Sequence, residues 1–156
     1  MGVVTPFVWY DSEAEQAAQL YTSLVPNSRI VDVSRYGAAG PGPAGSVMTV
    51  TFELDGQRVV ALNGGPAHPL TEAFSLVLAC ETQDEVDRYW EGLSAGGEEG
   101  PCGWLKDRFG LSWQIVPNAL LRLLGDPDPA RSQRTMQAML QMKKLDVAAL
   151  EAAAAG

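Results

Sequence analysis

Apolar positions along this chain recur with two different periods. Alternation of apolar and polar residues, which is typical of β-strands, occurs over residues 47–54 and 111–116, and residues 3–10 form a short, mostly apolar run of strand length. Apolar residues spaced three and four apart, which is typical of amphipathic helices, occur over residues 14–24 and 86–93. The pattern therefore predicts a chain in which strands and helices are mixed.

Capping and turn residues indicate where these elements begin. Ser12 and Glu15 have the spacing of a capping box, in which the hydroxyl accepts a hydrogen bond from the backbone N–H three residues later. Thr82 and Glu85 repeat this spacing. We expect a helix to begin at each box. Gly110 supplies the positive φ that a tight hairpin requires, so residues 104–106 and 111–116 are predicted to pair.

The order of these elements occurs twice. Strand, capping box, helix and strands around a glycine-centred hairpin occupy residues 3–63 and again residues 73–117, joined by a linker at 64–72 that is rich in Gly and Pro. Residues 118–156 have the spacing of a helical tail. One βαβββ unit leaves a sheet face bare, so pairing two units would enclose a cleft. We therefore expect a single α+β domain over residues 1–156, built of paired βαβββ units with a C-terminal helical tail.

Composition and charge exclude several classes of protein. The formal net charge of −8 and the scattered Lys and Arg residues argue against nucleic-acid binding, because phosphate contacts need a basic patch. No apolar run has membrane-spanning length, and no N-terminal segment resembles a secretion signal. Cys80 and Cys102 are too few for a disulfide framework. We expect a cytoplasmic protein with no membrane or nucleic-acid partner and with reduced thiols, although one disulfide stays possible.

A glycine-rich loop imitates a nucleotide-binding motif. Gly40, Gly42 and Gly45 have the spacing of the dinucleotide-binding fingerprint. That fingerprint works only where its last glycine opens a helix, and here the alternating strand pattern of residues 47–54 follows. We interpret the loop as a connection or a mobile flap.

Six segments carry a family resemblance. They are PFVWYD at residues 6–11, FELDG at 52–56, LNGGP at 62–66, CGWLKDRFG at 102–110, SWQIVP at 112–117 and MQAMLQMKK at 136–144. Together they resemble the PhnB-like branch of the vicinal oxygen chelate superfamily, which has the fold of glyoxalase I, extradiol dioxygenases, fosfomycin resistance proteins and bleomycin-binding proteins. The resemblance implies the paired βαβββ fold.

The branch is often labelled 3-demethylubiquinone-9 3-methyltransferase, and the sequence does not support that activity. A common methyltransferase holds its nucleoside cofactor on a doubly wound domain whose glycine-rich loop enters a helix. This chain has neither the repeated parallel βαβ pattern nor such a loop.

The resemblance also implies four cleft-facing positions where metal-using members carry His, Gln or Glu. Counting from the first helix and the hairpin glycines assigns these positions to Pro6, Val60, Ser75 (or Leu76 if the register slips by one) and Gln114. Two of these residues have no ligand side chain, and a hydroxyl with an amide is a poor donor set for a divalent ion. We expect no metal and no cofactor.

The resulting functional hypothesis is a protein that binds an unidentified small molecule in a metal-free cleft. Whether it catalyses a reaction stays open. Ser75 and Gln114 would orient a polar group of the ligand, and Tyr10 would stack or form a hydrogen bond. By strand parity, the cleft face comprises Val8, Tyr10, Val60, Leu62, Ser75, Val77, Ser112 and Gln114.

Other readings also stay open. One is a metal-dependent lyase or isomerase of glyoxalase type that recruits its ion through other residues, with His68, the only histidine, among them. Another is sequestration of a cationic toxin, as in bleomycin-binding proteins. A third is a packed sheet without a ligand. We also expect a homodimer, because this fold commonly completes its clefts in pairs and the tail carries Met136, Met139 and Met142 as an adaptable apolar side.

Overall fold

The structure, a computed structural model, describes residues 2–156. The chain forms two compact units, Met1–Leu70 and Thr71–Gly156, and the division lies inside the predicted linker. Each unit contains a four-stranded sheet with one helix packed against it. No helix among the described residues is long and apolar enough to span a membrane.

The first unit follows the predicted βαβββ order. Its sheet has the strand order β1-β4-β3-β2, in which β1 lies parallel to β4 and the other pairs are antiparallel. β1 is shorter than the predicted strand over residues 3–10, because Pro6 has no N–H and pairing with β4 begins at Phe7. The elements are β1 (Phe7–Tyr10), α1 (Ala14–Leu24), β2 (Arg29–Arg35), β3 (Val47–Leu54) and β4 (Gln57–Asn63).

Helix α1 begins differently from the prediction. The box of Ser12 and Glu15 does not form, since the N-cap is Glu13 and no side chain of the helix caps it. Asn63 at the end of β4 takes over: its Oδ1 accepts from the Ala14 N–H at 2.8 Å, and its Nδ2 donates to the Val47 carbonyl at 3.2 Å. A residue from the sheet therefore fixes the start of α1.

We expect Asn63→Ala to lower the free energy of unfolding by about 1 to 2 kcal/mol, because it removes a helix cap and leaves the Val47 carbonyl without its donor. Urea-induced unfolding measures this loss. Ser12→Ala is the matched control and should change stability by less than about 0.5 kcal/mol, the ordinary range for a surface substitution. Equal losses in the two variants would contradict the assignment of the cap to Asn63.

The second unit repeats the order and adds the tail. Its sheet has the order β5-β8-β7-β6, with β5 parallel to β8. The predicted box at α2 is confirmed, since the Thr82 hydroxyl accepts from the Glu85 N–H at 3.2 Å. The elements are β5 (Ser75–Cys80), α2 (Gln83–Ser94), β6 (Glu98–Glu99), β7 (Trp104–Lys106), β8 (Ser112–Pro117), α3 (Asn118–Leu124), α4 (Pro129–Met139) and α5 (Val147–Ala155).

A buried carboxylate organises the β7–β8 hairpin. Asp107 is 2 % exposed, and its Oδ1 accepts from the backbone N–H groups of Phe109 at 2.9 Å and Leu111 at 3.1 Å. Its Oδ2 accepts from Trp113 Nε1 at 2.9 Å. Gly110 has the expected positive φ, 94°. The turn predicted from Gly110 is therefore held by Asp107 from inside the fold.

The helical tail is anchored to the second unit at two places. The side chain of Gln83 accepts from the Val147 N–H at 2.7 Å and donates to the Leu145 carbonyl at 3.0 Å. Helix α4 ends at Met139, and beyond it the carbonyls of Met142 and Lys143 accept from the backbone N–H groups of Cys102 and Gly103 in the loop before β7. The apolar core of the tail comprises Leu120, Leu123, Leu145, Leu150 and Ala154, with Met139 and Met142 packed against it.

Candidate functional site

The two faces of the first sheet have different surroundings. Helix α1 covers the face that carries Val8 and Tyr10, both of which are 3 % exposed, and the Tyr10 hydroxyl lies 2.9 Å from that of Tyr21 on the helix. We call the opposite face of each sheet its far face. Since Phe7 pairs with Val60, and Trp9 with Leu62, these four side chains share the far face.

The prediction that Val8 and Tyr10 line the ligand face is therefore wrong. They are core residues beneath α1. Phe7 and Trp9 occupy the far-face positions that strand parity had assigned to Val8 and Tyr10. The assignment of Pro6 to a metal-ligand position shifts for the same reason, because Phe7 is the residue in register with Val60. A phenylalanine supplies no metal ligand either.

Trp9 lies on the far face of the first sheet, where the sequence interpretation did not place it. Its Nε1 donates to the Gly65 carbonyl at 2.8 Å, and its ring meets that of His68 edge-on, with centroids 4.8 Å apart. A Cβ on Gly64 would lie 2.3 Å from the indole, so this position requires glycine. Gly64 and Gly65, at the start of the linker, thus make room for the Trp9 ring, and this pair of glycines is the available sequence signal for it.

The far face of the second sheet carries the remaining predicted residues. Ser75 pairs with Ser112, and Val77 with Gln114, in the parallel β5–β8 register. Gln114 Nε2 donates to Ser75 Oγ at 3.0 Å. Val77 is 56 % exposed, whereas Ser112 is 1 % exposed. The far faces of the two sheets thus hold six of the eight predicted residues: Val60, Leu62, Ser75, Val77, Ser112 and Gln114.

These donors do not fit a divalent ion held in the manner of metal-using superfamily members. The side chains of Phe7 and Val60 have no lone pair to donate to a metal, and the Ser75 hydroxyl and the Gln114 amide are hydrogen-bonded to each other. Among residues 2–156, no three His, Cys, Asp or Glu side chains cluster closely enough to hold a metal. His68 has the Trp9 ring as its aromatic neighbour and no set of co-ligands.

A pocket of about 400 Å³ opens beside this far face. Lys106 Nζ lies 2.6 Å from Glu72 Oε1, which raises the pKa of Lys106 and lowers that of Glu72. Ser112 contributes the one buried side-chain oxygen that has no hydrogen-bond partner among the described residues. The lining comprises Glu72, Glu98, Glu99, Gly100, Pro101, Trp104, Leu105, Lys106 and Ser112.

The glycine-rich loop borders a different pocket, of about 490 Å³, in the first unit. Gly42 rests on the Tyr36 ring, where a Cβ would lie 2.4 Å from a ring carbon, and the Tyr36 hydroxyl donates to the Asn63 carbonyl at 2.6 Å. The loop leads into strand β3 and not into a helix. The prediction that a strand follows the glycine-rich loop is therefore confirmed.

The two cysteines are not joined in a disulfide. Burial raises the pKa of the Cys80 thiol to about 12, so it is not a thiolate at neutral pH. Its Sγ donates weakly to the Leu78 carbonyl at 3.6 Å. Both cysteines are free thiols.

Comparison with known proteins identifies the family. A family model described as 3-demethylubiquinone-9 3-methyltransferase matches residues 3–116, which is most of the chain. The chain belongs to this family. The predicted resemblance to the PhnB-like branch is thereby confirmed, and none of the curated proteins matches the chain.

Solved structures confirm the vicinal oxygen chelate fold. A putative 3-demethylubiquinone-9 3-methyltransferase, the PhnB protein of Bacillus cereus, is 35 % identical over 74 % of this chain and 99 % of its own, with a TM-score of 0.67. A protein from Pseudomonas aeruginosa is 17 % identical over 75 % and 98 %, with a TM-score of 0.62. The fosfomycin resistance protein FosX from Listeria monocytogenes, in complex with Mn(II) and sulfate, is 15 % identical over 74 % and 89 %, with a TM-score of 0.51. The last two share the fold alone.

The family match ends shortly before the helical tail begins. The 3-demethylubiquinone-9 3-methyltransferase family model reaches residue 116, and α3 starts at Asn118. Apart from Pro117 at the end of β8, the sheets and their far faces therefore lie within the family region. The tail core of Leu120, Leu123, Leu145 and Leu150 lies beyond it.

Proposed function

We propose that this member of the family binds a small organic molecule on the far face of its second sheet, without a metal held by the protein. The observation that carries the proposal is the hydrogen bond from Gln114 Nε2 to Ser75 Oγ. Ser75 and Gln114 stand at two of the positions where the resemblance to metal-using superfamily members implies ligands, and here their side chains are hydrogen-bonded to each other.

This pair has chemistry left to offer a ligand. Because the Gln114 amide donates to Ser75 Oγ, the Ser75 hydroxyl proton points elsewhere, and the Gln114 carbonyl oxygen stays an acceptor. The pair therefore presents one donor and one acceptor beside the exposed Val77. A few fixed polar groups on a mostly apolar surface are typical of small-molecule sites. The nearby pocket of about 400 Å³ has the size of such a site.

Methyl transfer is not part of the proposal. The family description names a methyltransferase, yet each sheet here is a mixed four-stranded sheet with a single helix between its first two strands. The doubly wound domain that commonly holds a nucleoside methyl donor is not this architecture. Homodimer formation and a cytoplasmic location stay predictions.

Metal dependence gives the first test. We expect tag-free protein to contain no stoichiometric metal by elemental analysis, and its melting temperature to be the same with Mn²⁺, Zn²⁺, Ni²⁺ or EDTA. An ion present at 100 times its Kd would stabilise the fold by about 2.7 kcal/mol, which is easily detected. A stoichiometric metal, or a rise in melting temperature with one ion only, would overturn the metal-free proposal.

Ligand-observed NMR with a fragment library tests the binding site itself. Fragments whose NMR signals change when the wild-type protein is added are expected to show no such change with the Gln114→Leu variant. This substitution removes both polar groups of the amide. Gln57→Leu is the matched control, because Gln57 is an exposed residue at the start of β4. Hits that are unaffected by Gln114→Leu would place binding elsewhere.

A further inference from the structure

The Ser112 hydroxyl has no hydrogen-bond partner in an otherwise well-paired structure. Ser112 is 1 % exposed, and its Oγ is the single buried side-chain oxygen or nitrogen among residues 2–156 without one. A buried hydroxyl that forms no hydrogen bond destabilises a fold, so such a group needs an explanation. Here the residue lines the pocket of about 400 Å³.

The charges around this pocket are unbalanced. Among the described residues that line the pocket, Lys106 is the only cationic one, and Glu72 already neutralises it at 2.6 Å. Glu98 and Glu99 form no ion pair within the described part of the chain. The Glu99 carboxylate is held in place by the Trp90 indole, whose Nε1 donates to Oε1 at 3.0 Å. Because Glu99 pairs with the buried Leu105 and its carboxylate is bound by Trp90 of α2, Glu98 supplies the one carboxylate in excess at the pocket.

The remaining walls are apolar. Trp104 and Leu105 come from β7, and Pro101 precedes that strand. An indole ring attracts a cation through its π-electrons and also packs against an apolar body. A carboxylate, an aromatic face and a buried hydroxyl acceptor together suit a primary ammonium group attached to an aromatic or alkyl body.

We propose that this pocket binds an organic primary ammonium ion, with Ser112 Oγ accepting a hydrogen bond from the ammonium and Glu98 supplying charge. This inference rests on the proposed function and specifies the ligand class for the same site. A primary ammonium has three donors, so it can reach Ser112 and a carboxylate together. A quaternary ammonium has the charge but no donor, and leaves the hydroxyl unpaired.

Four matched probes separate these contributions in isothermal titration. They are phenethylammonium, its N,N,N-trimethyl analogue, the neutral 2-phenylethanol and the anionic 3-phenylpropionate. We expect phenethylammonium to bind about tenfold more tightly than any of the others, with affinity that falls as salt rises. Equal or tighter binding of the neutral or anionic probe, or no binding of phenethylammonium at millimolar concentration, would overturn the inference.

Ser112→Ala separates a ligand-binding role from a structural one. Because it removes an unpaired buried hydroxyl, we expect the free protein to melt a few degrees higher while phenethylammonium binds about tenfold more weakly. A lower melting temperature, or unchanged affinity, would count against the assignment. A variant that merely misfolds cannot gain stability and lose affinity together.

Glu98→Gln tests the charge without touching the core, since Glu98 is exposed. We expect weaker phenethylammonium binding and a smaller salt dependence. Glu91→Gln is the control, because Glu91 is an exposed residue of α2 outside the pocket lining and undergoes the same change of charge. If both variants weaken binding equally, the effect comes from the net charge of the protein and not from Glu98 at the pocket. If neutral or anionic fragments bind in a Gln114-dependent way, the proposed function stands and only the ligand class is wrong.

Discussion

Asp107→Ala is expected to lower the free energy of unfolding by about 4 kcal/mol. The substitution leaves the N–H groups of Phe109, Leu111 and Trp113 Nε1 without their acceptor in a buried turn. Each lost hydrogen bond to a charged acceptor costs about 1.5 to 3 kcal/mol, and part of that is recovered when water reaches the turn. Urea-induced unfolding, followed by tryptophan fluorescence and circular dichroism, measures the loss.

Asp107→Asn tests the same network with little change of shape. Its one carbonyl oxygen can still accept from both backbone groups, but its amide then faces the Trp113 N–H, donor against donor. We expect a loss of about 2 kcal/mol, and a smaller loss when Asp107→Asn is made in a Trp113→Phe background than in the wild-type chain. Asp55→Asn, at the exposed turn between β3 and β4, is the control and should be close to neutral. Comparable losses at Asp55 and Asp107 would mean that the carboxylate is not the organiser of the hairpin.

Leu145→Ala is expected to cost about 3 kcal/mol. Leu145 is fully buried among Leu120, Leu123 and Leu150, and burial losses for Leu→Ala in protein cores range from about 2 to 5 kcal/mol. A Cβ added at Gly103 would lie only 2.9 Å from Leu145 Cδ1, so the Leu145 side chain packs the tail closely against the loop before β7.

Hydrogen exchange followed residue by residue should locate this loss. We expect the amides of α4 and α5 to lose protection first, because Leu145 lies between these two helices. Leu140→Ala is the matched control, since Leu140 is 56 % exposed and should change stability by less than about 1 kcal/mol. Exchange that accelerates evenly through the whole chain would contradict the tail core as a separate cooperative unit.

The sequence is informative where one set of alternating positions is clearly apolar and the other polar. β3 was predicted over residues 47–54 and forms there, because Val50, Phe52 and Leu54 are buried and the residues between them are more polar. β1 has no such contrast. Phe7, Val8, Trp9 and Tyr10 are all apolar or aromatic, so alternation alone cannot choose the face that meets α1. The register with β4 and the Tyr10–Tyr21 contact decide it.

Long-range hydrogen bonds explain the other differences. Ser12 and Asn63 are both good helix caps, and only the fold brings the second to the start of α1. The carbonyls of Met142 and Lys143, which follow α4, accept from the backbone N–H groups of Cys102 and Gly103, a pairing that helical spacing does not reveal. The unpaired state of Ser112 is likewise a property of its surroundings and not of its residue type.

The parallel strand pairs have a consequence for the order in which the chain folds. β3 and β4 join across a two-residue turn, and β7 and β8 across the short Asp107 turn, so these hairpins close quickly. Phe7 must instead find Val60, and Ser75 must find Ser112, each across a helix and two strands. Closing such long loops carries an entropic cost before any contact repays it. We therefore expect β1 and β5 to join their sheets late, so that the surface proposed for ligand binding, which includes β5, is completed in the last step of folding.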